Sequence, residues 1–392
     1  MRIAIRTGKL YDGTDASPRE NVTVVVENGR IARIASNDER VDAEQTREAA
    51  CVVPGLINCH VHLETNGEPD IQTLYIMRTP LERTLYAAHN ARLALEAGVT
   101  TVRDLGAADG TALAVRDAIA RGEHTGPTIL PAGRALCMTG GHGFFIGRET
   151  DGPWDARLAV REQRKAGASV IKLIATGGVL TKGAVPGQDQ LTEDEMRSAV
   201  TEAHTHDMVV GAHAIGKSGI KNALRAGVDS IEHGHLLDDE AIALFKERGT
   251  YLVPTLAAVV CIYENAKTGA QPDFVVRKAT EIYERVGENI GRAWRAGVRI
   301  AGGSDAGTPY NYHQNYAYEL ELMVTMLGMT PQQALTAATQ TAAELLRIDA
   351  GTLAEGSAAD LVLLERDYGA DVRALREPRA VVKAGTLAHE RA

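Results

Sequence analysis

Residues 96–105 read EAGVTTVRDL: a helical stretch ends at Ala97-Gly98, and a short apolar strand follows. Glycine is expected just past a helix end because it adopts the left-handed conformation without a side-chain clash. Short strands that are apolar throughout are typical of a parallel sheet covered on both faces. The same order of helix end, glycine and strand recurs at Ala166-Gly167-Ala168, Ala226-Gly227-Val228, Arg248-Gly249-Thr250 and Ala296-Gly297-Val298.

The middle of the chain holds eight short strands that alternate with helices. They begin near Gly55, Thr100, Thr128, Val170, Val209, Ser230, Tyr251 and Arg299. This count favours an α/β fold of the (β/α)8 TIM-like barrel type. An open, doubly wound sheet is the alternative. It normally carries a glycine-rich phosphate loop after an early strand, and the sequence contains neither a GxGxxG nor a Walker pattern.

The two ends of the chain have an all-β character. Asn21–Val26 and Arg30–Ala35 flank the hairpin signal Asn28-Gly29, and a second turn signal, Ala384-Gly385, lies near the other end. Because the termini of a domain tend to lie close together, we expect both ends to pair in one small β-sandwich. The predicted domains are residues 1–54 and 351–392 for the two parts of the β-sandwich and residues 55–350 for the barrel.

Composition excludes several classes of protein. The net charge of −9 argues against a general electrostatic affinity for nucleic acid or anionic membranes. No apolar run approaches the roughly 18 residues of a membrane helix, and the first residues lack the apolar core of a signal peptide. The four cysteines are scattered without a CxxC pattern, which indicates neither a disulfide framework nor a thiolate zinc site. We therefore expect a cytoplasmic location.

Metal-competent side chains fall where the strands end. His60-Val61-His62 ends the first strand, and both imidazoles face the same way because residues i and i+2 of a strand share a face. Lys172 lies within the apolar fourth strand, and the fifth, sixth and eighth strands end at His213, His233 and Asp305. The carboxyl ends of barrel strands meet at one mouth, so these six side chains are predicted to converge on one site.

Each of these residues also has a purely structural interpretation. The HxH pattern alone is weak, since His204-Thr205-His206 repeats it in a helical stretch, where such residues diverge by about 200°. His213 alone could be a core histidine, and Asp305 a helix N-cap. Lys172 could be a snorkelling lysine, but a strand covered on both faces gives its ammonium no access to water. The joint placement at strand ends favours a metal centre.

Five segments in chain order carry a family resemblance. The chain is similar to the metal-dependent amidohydrolase superfamily, in its two-metal branch with a carboxylated lysine, over essentially its whole length. The motifs GGHG at 140–143 and ATGG at 175–178 narrow this to a group that contains Xaa-Pro and Xaa-Arg/Lys dipeptidases, ochratoxin amidases and imidazolonepropionase-like proteins. The five segments are PGLINCHVH (54–62), VIKLIATGG (170–178), GAHA (211–214), SIEHG (230–234) and GGSDAG (302–307).

The resemblance implies a set of ligands and a mechanism. Two divalent ions are expected, and zinc suits imidazole ligands. The implied assignment gives one metal His60, His62 and Asp305, gives the other His213 and His233, and bridges them through Lys172 as N6-carboxylysine. A hydroxide shared by the metals would attack the scissile carbonyl, and Asp305 would carry the proton to the leaving amine.

Substrate contacts are less constrained by the sequence. His142, in a glycine-rich loop after strand three, is a candidate catalytic donor to a substrate carboxylate or carbonyl, and Tyr251 and Tyr310 are candidate pocket aromatics. Arg134 and Lys182 could supply positive charge. Ile215 stands where several dipeptidase relatives carry a polar ring, which weakens the dipeptidase assignment.

We predict a hydrolase acting on the carbon–nitrogen bond of a small-molecule amide, either a dipeptide or an N-acyl amino acid. Hydrolysis of a cyclic amide, aryl amide or carbamate is the alternative within that class. A catalytically inactive barrel scaffold is the non-enzyme alternative, and it is disfavoured because all six ligands are present. We expect a homo-oligomer without nucleic-acid or membrane partners.

Overall fold

The computed structural model describes residues 2–391, so Met1 and Ala392, the outer bounds of the predicted β-sandwich, lie outside the described residues. The strands are β1 (Arg2–Leu10), β2 (Arg19–Glu27), β3 (Arg30–Ser36), β4 (Gln45–Pro54), β5 (Leu56–Val61), β6 (Val99–Asp104), β7 (Thr128–Pro131), β8 (Ala135–Cys137), β9 (Gly147–Glu149), β10 (Val170–Ile174), β11 (Val209–Ala214), β12 (Ser230–His233), β13 (Tyr251–Val253), β14 (Leu361–Leu364), β15 (Ala380–Lys383) and β16 (Thr386–Glu390). The α-helices are α1 (Ile71–Met77), α2 (Pro80–Glu96), α3 (Thr111–Ala120), α4 (Pro153–Ala166), α5 (Glu193–His204), α6 (Lys217–Ala226), α7 (Asp239–Arg248), α8 (Leu256–Glu264), α9 (Asp273–Arg295), α10 (Tyr316–Leu327), α11 (Pro331–Ala337) and α12 (Gln340–Leu346).

Strands from both ends of the chain form one seven-stranded sheet, in the order β16-β15-β14-β4-β1-β2-β3. Within it, β4 lies between β1, to which it is parallel, and β14, to which it is antiparallel. Asn28 and Gly29 have φ values of 50° and 78°, as a two-residue hairpin turn between β2 and β3 requires. The two ends of the chain therefore pair, as the sequence indicates.

The middle of the chain alternates parallel strands with helices. β5, β6 and β7 form one parallel sheet, and β8 and β10 to β13 run parallel in another, which β9 extends. The backbone N–H of Ser169 donates to Pro131 O at 2.8 Å, which links the start of β10 to β7. The predicted eighth strand is not a regular strand. Its backbone still bonds to both neighbours, through Leu252 N to Arg299 O and through Cys59 N to Gly302 O, each at 2.9 Å.

Helix ends follow the glycine pattern that the sequence shows. Gly167, Gly227 and Gly249 end α4, α6 and α7 in the left-handed conformation, with φ of 96°, 92° and 65°. At α2 and α9 the C-cap residue is an alanine, and the glycine that follows it, Gly98 or Gly297, has the positive φ. Each strand that follows therefore starts from a defined point at the end of the preceding helix.

One helix is buried along most of its surface, and it forms a wall of the site described below. α8 reads LAAVVCIYE, and its first seven residues are buried. Its first turn lacks a cap from its own N-cap residue, Thr255. Glu319 of α10 fills that role, accepting the backbone N–H groups of Leu256 and Ala257 at 2.9 and 2.7 Å. Between residues 2 and 391, no helix has the length and apolar character needed to cross a lipid bilayer.

Candidate active site

The structure brings the six predicted ligands together in one chamber at the carboxyl ends of the parallel strands. His60 lies on β5 and Lys172 on β10, His213 is near the end of β11, and His233 is the last residue of β12. His62 directly follows β5, and Asp305 follows the irregular eighth segment, where Asp305 N donates to His60 O at 2.8 Å. Strand direction therefore places side chains from five separate segments within one mouth.

His60, His62 and Asp305 form a compact group whose ligand atoms all lie within 4.8 Å of one another. Asp305 Oδ1 lies 3.4 Å from His60 Nε2 and 3.2 Å from His62 Nε2. Lys172 Nζ lies 3.5 Å from His60 Nε2, although the lysine is only 2% exposed. Burial lowers the pKa of this lysine to about 8.

His213 and His233 lie beside this group, with their ring centroids 4.5 Å apart. His233 Nδ1 is bonded to Thr255 Oγ1 at 2.7 Å, so its Nε2 is free for another partner. His213 Nε2 and Asp305 Oδ1 are buried, and no hydrogen-bond partner for either exists among residues 2–391. Unpaired nitrogen and oxygen lone pairs that converge in a buried place are what a divalent cation requires.

The charges of the group fit the same interpretation. Burial lowers the pKa of His60 to about 4, and it lowers the pKa values of His213 and His233 well below their ordinary value. These imidazoles are therefore neutral and can act as ligands at neutral pH. Burial alone would raise the pKa of Asp305, but the nearby His60, His62 and Lys172 outweigh it and keep the carboxylate ionised.

Several backbone positions at the site have left-handed conformations that side chains rarely adopt. His233, Thr255 and Asp305 have φ values of 73°, 47° and 58°. Such conformations cost on the order of 1–3 kcal/mol each and persist where surrounding contacts fix them. These backbone conformations direct the side chains of His233 and Asp305 into the chamber. They also place the Thr255 hydroxyl, which is bonded to His233 Nδ1.

Two residues outside the predicted ligand set fix His60 on the side away from the chamber. Glu232 Oε2 accepts from His60 Nδ1 at 2.9 Å, and Arg103 Nη2 donates to Glu232 Oε1 at 2.8 Å. Arg103 and Glu232 are fully buried, and Arg103 Nε also donates to Cys59 O at 2.6 Å. Burial raises the pKa of Glu232, but Arg103 and His60 outweigh it and lower the pKa to about 2. The carboxylate therefore keeps the proton of His60 on Nδ1 and its lone pair on Nε2.

A signal for this pair exists in the sequence. Arg103 and Glu232 are charged residues in strands that are otherwise short and apolar, VTTVRD and SIEH. Burial of one charge in such a strand requires a partner, and burial of two in different strands suggests that they pair.

His142 lies next to the ligand group, with its ring centroid 4.6 Å from that of His213. Its Nδ1 is 2.8 Å from Thr181 Oγ1, which also accepts from Gly143 N at 3.2 Å. When the Thr181 hydroxyl donates to Nδ1, the neutral His142 ring carries its proton on Nε2. The ring packs against Gly178, where an added Cβ would lie 2.3 Å from His142 Nε2. In that tautomer His142 places an N–H donor beside the candidate ligands.

The rest of the chamber is mostly apolar. Thr65, Thr308 and His235 add polar groups, and Lys172 is the only lysine or arginine among the lining residues within the described chain. The apolar lining residues are Ile71, Leu105, Phe145, Ile146, Ile174, Val179, Leu180, Ile215, Ala258, Val259 and Ile262.

Several other candidates lie away from this chamber. Tyr251 is the first residue of β13, at the opposite end of the strand from the site, and its hydroxyl accepts from Arg299 Nη1 at 2.8 Å. The hydroxyl of Tyr310 is 2.9 Å from Thr268 Oγ1. Neither tyrosine is among the residues that line the chamber.

Arg134 and Lys182, the two candidate cations for a substrate carboxylate, also do not line the chamber. Arg134 pairs with Asp109 at 2.9 Å, and Lys182 lines an outer groove beside α9. The helical HxH pair stays out of the site as well, since His204 ends α5 and lies 2.9 Å from Asp229 Oδ2.

An α/β fold with a buried cluster of imidazole and carboxylate side chains at its strand ends is typical of metal-dependent hydrolases. The chain belongs to the amidohydrolase family, which residues 51–387 match. The resemblance found in the sequence motifs is thereby confirmed.

Individual relatives agree with this placement. Ochratoxinase from Aspergillus niger is 31% identical to this chain over an alignment of 431 positions. The alignment covers 98% of this chain and 86% of ochratoxinase. A solved Xaa-Pro dipeptidase with bound methionine in its active site shares 33% identity and a TM-score of 0.93 over 100% of both chains. A prolidase complexed with N-methylphosphonate-L-proline shares 30% identity and a TM-score of 0.91 over 100% of both chains. The chain is a hydrolase that acts on carbon–nitrogen bonds.

Proposed function

We propose that the chain hydrolyses the amide bond of a dipeptide, or of an N-acyl amino acid with an apolar acyl group. The reaction would use two divalent metal ions, and zinc is the first candidate. The observation that carries this proposal is the convergence of His60, His62 and Asp305 with Lys172 in a mostly apolar chamber. The names of the relatives, a dipeptidase, a prolidase and ochratoxinase, support the same class of substrate.

Within this proposal the six ligands divide into two sets. His60, His62 and Asp305 would hold one ion, His213 and His233 would hold the other, and Lys172, as N6-carboxylysine, would supply an anionic ligand shared by the two sets. The position of Lys172 supports the modification, because a buried ammonium 3.5 Å from a ligand nitrogen would repel a cation bound there. Carboxylation replaces that positive charge with an anionic group that bears two oxygens.

The residues of the chain supply the remaining steps. Bound metal would polarise the scissile carbonyl and make the attacking water more acidic. Asp305 takes the proton from that water and delivers it to the leaving nitrogen. His142 donates its Nε2–H to an oxygen of the substrate, and the apolar walls exclude competing water.

A second substrate class is favoured by one observation. Among the described residues that line the chamber, Lys172 is the only lysine or arginine, so no free cation is available there for a substrate carboxylate. A neutral cyclic amide, aryl amide or carbamate would need none. The two substrate classes therefore make opposite predictions. An anionic group on the substrate improves turnover if the first class is right and weakens it if the second is right.

The direct test is a panel of dipeptides and N-acyl amino acids, each paired with a neutral analogue, assayed with enzyme loaded with metal. We expect kcat/KM to be higher for members with an apolar acyl group and a free carboxylate. Turnover of the neutral analogues alone would establish the second class instead. Elemental analysis should give about two divalent ions per chain, and one ion or none in a replete sample would contradict the two-metal site.

Lys172 provides a separate test of the ligand sets. Lys172→Ala should lose activity and lose bound metal, because the anionic group between the two ligand sets is gone. Short carboxylic acids should restore part of the rate by occupying the space of the carbamate. Full activity and full metal content in Lys172→Ala would exclude the bridging role.

We also propose the wider organisation of the molecule. The bonds from residues 299–302 to β5 and β13 support closure of the eight segments into a (β/α)8 barrel, and the shared sheet supports residues 1–54 and 351–392 as one β-sandwich. Four free, buried cysteines support a cytoplasmic location. Four exposed apolar side chains on α1 and α2 support a homo-oligomer: Ile76, Met77, Leu81 and Leu85. Light scattering would test the oligomeric state.

A further inference from the structure

Four imidazoles follow one another along the chamber, and two of them are the ligands His213 and His233. The ring centroids are 4.6 Å apart for His142 and His213, 4.5 Å for His213 and His233, and 5.5 Å for His233 and His235. His142 therefore contacts one member of the ligand pair, and His235 contacts the other. The proposed function gives a role to His142 and none to His235.

The hydrogen bonds of His235 determine what it can offer. Its Nε2 lies 3.0 Å from the carbonyl oxygen of Pro254. A carbonyl can only accept, so Nε2 carries the proton, and Nδ1 of the neutral ring carries a lone pair. His235 is 1% exposed, and no donor for its Nδ1 exists among residues 2–391. Asn289 Nδ2 donates to the backbone oxygen of His235 at 2.9 Å, which helps to fix its position.

The chamber thus has a polar ring beside each member of the ligand pair. His142 offers an N–H in the tautomer that accepts from Thr181, and His235 offers a buried lone pair with no partner among residues 2–391. An unpaired buried acceptor is costly, and one on a residue that lines a substrate chamber can be satisfied by a donor from the ligand. A secondary amide has the complementary pair, because its oxygen accepts and its N–H donates.

We propose that His235 Nδ1 accepts the N–H of the scissile amide, so that the enzyme selects secondary amides and discriminates against N-alkylated, tertiary amides. This inference rests on the proposed amide hydrolysis. It predicts that a prolyl or N-methyl amide is a poor substrate, although the relatives include prolidases. A methyl group in place of the hydrogen would leave the lone pair unpaired and would press against the ring.

The test compares N-benzoylglycine with N-benzoylsarcosine, which differ only by the N-methyl group. For the wild type we expect kcat/KM to be at least about tenfold higher for N-benzoylglycine, the scale of one lost buried hydrogen bond. In His235→Phe the ratio of the two values should fall at least about threefold below the wild-type ratio, because the hydrogen bond is lost and only the substrates' own difference remains. His235→Gln should keep most of the preference, because its amide can donate to Pro254 O and still offer an oxygen lone pair.

His313 supplies a matched control. It is 2% exposed, its Nε2 lies 2.9 Å from Thr65 O, and its Nδ1 lacks a partner within the described chain, yet it does not line the chamber. His313→Phe should therefore leave the ratio unchanged. The ratio is independent of how much of each variant is folded, because both substrates meet the same enzyme sample. The cis–trans preference of the sarcosine amide is a property of the substrate and is common to all variants.

The outcomes separate the inference from the proposed function. Equal hydrolysis of the two substrates by the wild type, or an undiminished ratio in His235→Phe with normal metal content, would overturn the role of His235 while amide hydrolysis stands. If metal-loaded wild type cleaves neither substrate nor any other amide of the panel, the proposed function fails and this inference fails with it.

Discussion

Glu232 determines which nitrogen of His60 faces the ligand group. It accepts the Nδ1 proton of His60 and is itself held by Arg103. A buried ion pair of this kind is weak evidence for stability, since both charges lose their hydration. Its effect lies in orientation, because a ligand histidine with a fixed proton needs no rearrangement before it binds metal.

Glu232→Gln tests this role at the level of one residue. We expect the affinity for divalent metal to fall about 10–100-fold, because the neutral amide no longer compensates Arg103 or fixes the His60 proton. Competition against a chromogenic chelator measures this directly. Ser230→Ala is the control: Ser230 donates to the same carboxylate at 2.5 Å, but its removal leaves the ion pair in place, so the affinity should change by less than about threefold. Equal metal affinities for Glu232→Gln and the wild type would exclude the orienting role.

Asp305→Asn separates metal binding from proton transfer. The amide keeps an oxygen ligand but cannot take a proton, so kcat should fall by at least about a hundredfold while metal content falls much less. Single-turnover rates on samples of known metal content make the comparison. A kcat that is unchanged at full metal loading would exclude Asp305 as the proton carrier.

At the level of elements, the strand–helix alternation and the convergence of the six candidate ligands could be predicted from the sequence, because both follow from local patterns. A pocket role for Tyr251 could have been excluded in the same way. The site lies at the carboxyl ends of the parallel strands, whereas Tyr251 begins β13 and so lies at the opposite end. The glycine-rich eighth segment was expected to be a strand, but it pairs irregularly with its neighbours. Arg103 and Glu232 stand in separate strands, and only the folded chain shows that they touch.

Glu319 joins two elements, since α10 supplies the cap of α8. Burial raises the pKa of Glu319 from 4.5 to about 8. A carboxyl whose pKa is higher in the folded than in the unfolded state binds its proton more tightly when folded. Its contribution to the free energy of unfolding is therefore largest below about pH 4.5 and is lost as the pH rises to about 8.

Glu319→Gln removes this pH dependence. Relative to wild type, the melting temperature of the variant should rise by at least about 2 °C between pH 5.5 and pH 8.5, because only the wild type must ionise a buried carboxyl. Differential scanning fluorimetry at both pH values measures the difference. Glu344→Gln, on the exposed face of α12, is the control and should show no such trend. A constant difference between Glu319→Gln and wild type would contradict the raised pKa.

At the scale of the whole molecule, the seven-stranded sheet depends on both ends of the chain. β4 has β1 on one side and β14 on the other, and the pairs of β4 with β14 include Cys51 with Leu364 and Val53 with Val362. Removal of residues 351–392 would expose one edge of β4 and the apolar cluster beneath it.

We expect the chain truncated after Ala350 to be largely insoluble, measured as the soluble fraction on expression. Truncation after Gly385 removes only the edge strand β16, which pairs with β15 alone, and should leave most of the protein soluble. A truncation after Ala350 that is as soluble as the full chain would show that β14 is dispensable.

The same pairing sets an order of events during synthesis. The residues Cys51 and Leu364, which pair across β4 and β14, are 313 positions apart (364 − 51). At about 5–20 residues per second, the ribosome needs roughly 15–60 seconds to make the intervening chain. Throughout that interval the edge of β4 that pairs with β14 in the folded chain lacks that neighbour, while the strands and helices that hold the candidate ligands emerge in order. Residues 60–305, which include all six candidate ligands, are therefore synthesised before β14 to β16, and the seven-stranded sheet is among the last parts of the molecule that can be completed.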